Sequence, residues 1–107
     1  MALGDYASVG LNQAVKAEAD LFVLATVDAG GQSGVRGTLI GMVGDDPDPE
    51  NMAAVAAASA HSSDSNDAGI RTSSLTMPVQ RGKWFMVRAI KDWGEPEFAA
   101  RKVAANV

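Results

Sequence analysis

The chain contains no cysteine, which excludes a disulfide framework, a thiolate zinc centre and a cysteine nucleophile together. It has one histidine, His61, so no cluster of imidazoles can hold a metal within a subunit. Long apolar runs are also missing: nowhere do about 18 consecutive apolar residues occur, the minimum for a membrane-spanning helix. The opening Met1–Asp5 lacks the basic and apolar regions of a secretory signal. The chain is therefore expected to fold in the cytoplasm of the cell that makes it and to carry no membrane anchor. Lys and Arg number 9 against 13 Asp and Glu, a net charge of −4. Phosphate neutralisation needs a surplus of cations, so nucleic acid is not expected as a partner.

What remains is a chain of 107 residues, the length of one domain at roughly 100–200 residues each, and it is read as a single unit over residues 1–107. Its hydrophobic fraction of 47% flatters the core, because 19 of those residues are Ala and only 20 are Leu, Ile, Met, Phe, Trp or Tyr, beside 11 Val. A domain this small buries only about two thirds of its unfolded surface. Association between subunits is a ready source of the missing burial. Charge is unevenly distributed: residues 1–70 hold 10 acids and 2 bases, residues 71–107 hold 3 acids and 7 bases. Folding either interleaves the two halves or leaves complementary faces that fix the register of subunits or partners.

Residues 20–28 and 35–43 are short apolar runs rich in β-branched and aromatic side chains, with Ala29–Gly34 between them, and they are expected to be strands joined as a hairpin. Gly37 and Gly41 inside the second predict a bulge or a close backbone approach. Residues 44–50 carry Pro47 and Pro49, which no regular element crosses. Two further strands are expected at 70–77 and 83–91, with Arg81-Gly82 supplying the turn. Period-two alternation puts Trp84, Met86 and Arg88 on one face and Phe85, Val87 and Ala89 on the other. Shorter candidates lie at 6–12 and 97–104. Asn51–Ala60 is alanine-rich and follows a helix-start pattern of Asp48 as N-cap, Pro49 and Glu50. A short helix near 50–60 and a strand imposed by a sheet neighbour both fit it. The fold class expected is all-β, a single antiparallel β-sandwich.

Asp5-Tyr6, Ala17–Ala25, Gly37–Gly41 and above all Met77-Pro-Val-Gln-Arg-Gly-Lys-Trp-Phe-Met-Val-Arg88 resemble the small β-sandwich domains of tailed-phage fibres and spikes. The resemblance covers roughly residues 5–91; the alanine-rich 51–60 and the Gly94-Glu-Pro-Glu97 tail depart from it. It implies a jelly-roll-like homotrimer on the virion surface, synthesised in the host cytoplasm. The short chain looks like a separate gene product such as a capsid decoration protein, head fibre or spike component.

Asp45, Asp46, Asp48 and Glu50 crowd one loop, and Ca²⁺ takes oxygen ligands of this kind. The spacing is not that of an EF-hand, and two prolines restrict how the loop could wrap an ion. A solvated acidic turn with Asp48 as a cap is expected, and no metal. His61-Ser62-Ser63-Asp64 holds the residue types of a hydrolytic triad, but sequence neighbours on a loop cannot orient one another as a triad requires. No catalytic residue and no cofactor are assigned. His61 is expected on an exposed loop with Asp45, Asp46 and Asp48 on another, and a His on a three-fold axis could collect an ion from three subunits. Gly30–Gly34 lacks the Gly-Lys-Ser/Thr of a phosphate loop and is expected to be a turn. Trp93, between Asp92 and Gly94, is the candidate docking or sugar-stacking aromatic.

The function expected is that of a non-enzymatic virion protein, decorating the head or contributing to a fibre, with itself and other capsid, tail or fibre proteins as partners. A carbohydrate-binding module that recognises host surface glycans is the alternative.

Overall fold

A computed structural model of the chain describes residues 2–30, 34–62 and 71–106. Eight strands account for most of them: β1 (Ala2–Ser8), β2 (Val15–Lys16), β3 (Leu21–Asp28), β4 (Arg36–Gly44), β5 (Met52–His61), β6 (Thr72–Val79), β7 (Trp84–Trp93) and β8 (Glu97–Asn106). They form two four-stranded antiparallel sheets, with orders β1-β8-β3-β6 and β2-β7-β4-β5. Four antiparallel pairs nest inside one another: β4 with β5, β3 with β6, β2 with β7 and β1 with β8. The chain is thus one long ribbon, doubled back at Gly44–Met52 and rolled so that alternate pairs fall in opposite sheets. Eight strands wound this way make a jelly roll, and the expected all-β sandwich is the observed fold.

Alternation along the strands builds the core. Val23 and Val27 of β3, Leu75 and Met77 of β6, Leu39 of β4, and Phe85 and Val87 of β7 meet between the sheets, each almost wholly buried. The faces expected for Phe85 and Val87 against Trp84 and Arg88 are as found. Gly37 and Gly41 are places of close approach: a Cβ on Gly37 would lie 2.9 Å from the Pro96 ring and from Val27, and one on Gly41 would lie 2.6 Å from the Met77 sulfur. Opposite the glycines of β4, the inward Ala56 and Ala60 keep β5 slim.

One sequence expectation needs correction: β3 and β4 do not form a hairpin, because they lie in different sheets. β6 and β7, on either side of the Arg81-Gly82 turn, are likewise in different sheets. Seven residues separate β3 from β4, beyond the roughly 2–5 of a hairpin loop. The local hairpin is β4–β5. Its turn contains the expected cap, since Asp48 accepts a hydrogen bond from the Glu50 amide at 3.0 Å, but only a 3-10 turn over Pro49–Asn51 follows. From Met52 onward the alanines extend, because β4 supplies a ladder along their whole length, and such pairing overrides intrinsic propensity. The tail is also stronger than its sequence suggests: β8 is an interior strand, paired on both sides.

Among the described residues no helix is long and apolar enough to cross a membrane.

Candidate functional site

Strands β5, β4 and β7 lie side by side, and at one end of the sandwich their register aligns His61, Arg36 and Trp93 in a single cross-strand row. The row depends on a bulge. Gly37 pairs with Lys91 and Arg36 with Trp93, leaving Asp92 as an extra residue on β7. Strict alternation would place Trp93 on the face opposite Arg36; the inserted residue brings it onto the same face, as bulges re-aim side chains elsewhere. The Asp92 carboxylate accepts a hydrogen bond from the Thr38 hydroxyl at 2.7 Å, which ties the bulge to β4.

Both flanks of the row are fixed. Beyond Arg36 and His61, the Ser62 amide donates to the Val35 carbonyl at 2.9 Å, and the Ser62 hydroxyl accepts from the Val35 amide at 3.3 Å. Beyond Trp93, Gly94 turns with φ +69°, and a Cβ there would press on Val35 at 3.1 Å. Gly34, Val35, Arg36, His61, Ser62 and Trp93 line a shallow depression of about 360 Å³. Trp93 is 69% exposed; Arg36 is exposed and His61 half-buried. Among the described residues no carboxylate lines the depression, and neither ion pair involves Arg36.

The sequence expectation put His61 on an exposed loop; it is the last residue of β5. Successive strand residues face opposite sides, so His61 and the buried Ser62 diverge, and the Ser62 hydroxyl is turned to Val35. Ser63 and Asp64, with the rest of the expected polar loop, and residues 31–33 of the expected Gly30–Gly34 turn lie outside the described residues.

The acidic turn lies at the far end of the sandwich. Asp45 is ion-paired with Lys83, joining the acid-rich first part of the chain to the base-rich last part. Asp46 accepts from the Asp48 amide at 2.9 Å and from the Asn51 side chain at 3.1 Å. Asp48 caps the 3-10 turn. These carboxylates are occupied in shaping the turn, and no group of three or more potential metal ligands occurs among the described residues.

A second feature was missed in the sequence. On the outer face of the β1-β8-β3-β6 sheet, Tyr6, Val103, Phe22 and Pro78 align in register across all four strands. Tyr6 is 57% exposed, whereas Val103, flanked by two aromatics, is 2% exposed although it is not part of the core between the sheets. Beside this row Tyr6, Leu24, Thr26, Ala99 and Arg101 line a depression of about 400 Å³. The alternation of each strand signals two apolar faces, but only the pairing of distant strands assembles the row.

No protein-family model matches the chain, and neither a curated protein nor a solved structure is found to be similar to it.

Proposed function

We propose that the chain is a non-enzymatic structural protein of a phage virion surface, associating as a homotrimer that stabilises the particle or aids attachment to the host. The observation that carries this reading is the Tyr6–Val103–Phe22–Pro78 row on the outer face of one sheet. A sandwich that stood alone would turn polar side chains outward there. Instead an apolar band crosses the sheet, with Leu24 adjoining it on β3, and a second copy of the chain is the occupant we assign to it. The thin core argues the same way, since contact between subunits adds burial to that of a 107-residue sandwich. The link to a virion rests on the residues that resemble phage fibre and spike domains; Met77–Arg88 among them form the end of β6, the Arg81-Gly82 turn and the start of β7.

Light scattering across a dilution series tests the assembly. A mass near three times 11.1 kDa is expected, falling to the monomer in Tyr6→Glu with the β-sheet circular dichroism retained. A wild-type monomer at every concentration removes the trimer. Mass spectrometry of purified particles tests the location, and absence of the chain from them removes the virion role.

A further inference from the structure

We infer that the row of Trp93, Arg36 and His61 is a binding site for an acidic saccharide, a glycan bearing a uronic or sialic acid. The inference deepens the attachment side of the proposed role and lies on the other sheet from the apolar row assigned to assembly.

The chemistry follows from three side chains in one depression. An indole ring presents a broad apolar face with a polar edge, and a pyranose offers a matching face of C–H groups. Trp93 is positioned for this by the Asp92 bulge and is left 69% exposed, although it is one of two tryptophans in a chain poor in aromatics. Arg36 stands next to it in register. A guanidinium is a planar fork of donors that fits a carboxylate in bidentate fashion. Arg36 has no ion-pair partner among the described residues. His61 on the far side of Arg36 adds an imidazole that can donate or accept toward a hydroxyl. The acids next to Trp93 in sequence are otherwise engaged: Asp92 accepts from Thr38, and Glu95 pairs with Lys91 at 2.6 Å. A site that gathers an aromatic face and a guanidinium without an ion-pair partner or a lining carboxylate among the described residues selects a sugar ring carrying negative charge over a neutral one.

The site is preorganised. Arg36 of β4 is paired on both sides, with His61 of β5 and with Trp93 of β7, Ser62 and Val35 clamp one flank, and Gly94 packs on Val35 at the other. Groups carried by paired strands hold their spacing better than groups on loops. A shallow, open site of this kind binds weakly, with Kd on the order of 1 mM. A trimer would present three copies, and linked weak sites gain strongly in avidity when one surface engages them together.

The test is a titration of the ¹⁵N-labelled chain with sialyllactose and with an oligoglucuronate, beside lactose and acetate, followed by amide and indole N–H shifts. Both acidic sugars are expected to move the Trp93 indole and the amides around Arg36 and His61, leaving the Trp84 indole in place. Arg36→Gln is expected to weaken binding about tenfold and to erase the preference over lactose; Trp93→Ala is expected to abolish it, with the spectrum showing an intact fold. Lactose or acetate binding as tightly as the acidic sugars, unchanged affinity in Arg36→Gln, or no shift with any sugar would each overturn the proposal. The solution mass is measured separately, so loss of the glycan site and loss of the trimer are distinguishable.

Discussion

At the scale of single residues, the two glycines of β4 show how little room separates the sheets. A methyl group on Gly37 would stand 2.9 Å from both the Pro96 ring and Val27, whereas one on Gly41 would meet the Met77 thioether. A proline ring cannot yield and a methionine end can. Gly37→Ala is therefore expected to destabilise by about 1–3 kcal/mol and Gly41→Ala by less, as compared by denaturant midpoints. Equal midpoints for the two variants would contradict the packing described. Both glycines were legible in the sequence as close approaches, because a residue without a side chain in an apolar strand has few other uses. Asp92 was not legible: an extra residue is defined only against a partner strand.

At the scale of elements, β5 is the instructive case. Its alanines favour helix intrinsically, its entry carries a helix cap, and it is nonetheless an edge strand of ten residues. Ala57 is exposed on it and pairs with Ile40. Threonine suits a pleated edge and disfavours helix, so Ala57→Thr is expected to leave the melting temperature unchanged or raise it slightly. A helix at this position would instead lose stability. Asp48→Ala removes the acceptor for the Glu50 amide and is expected to cost about 0.5–2 kcal/mol, measured by chemical denaturation. The cap was readable because its chemistry is local to four residues. What followed it was not, because the ladder that extends β5 comes from β4.

At the scale of the whole molecule, nested pairing makes the two sheets interdependent. β1 and β8 come from opposite ends of the chain yet pair along their length, and the core takes side chains from both sheets. Neither sheet keeps its buried face covered without the other, so unfolding is expected to be two-state, with far-ultraviolet and tryptophan signals melting together. Separated transitions would show that the sheets come apart independently. Pairings between distant segments also slow folding, and refolding is expected in milliseconds to seconds.

The sequence alone determined the class of the fold, because β-branched alternation, scarce helix signals and proline-bearing turns act within a few residues of one another. It also marked Trp93 and His61 as side chains of interest. Only the tertiary structure decided which strands are neighbours, that β3 and β4 part into different sheets, and that a bulge brings Trp93 into line with Arg36 and His61. Period-two patterning tells each strand which side to bury, but it is nearly the same for every strand. The choice of partner therefore rests on how all eight faces can be buried at once, a property of the assembled sandwich that no single segment carries.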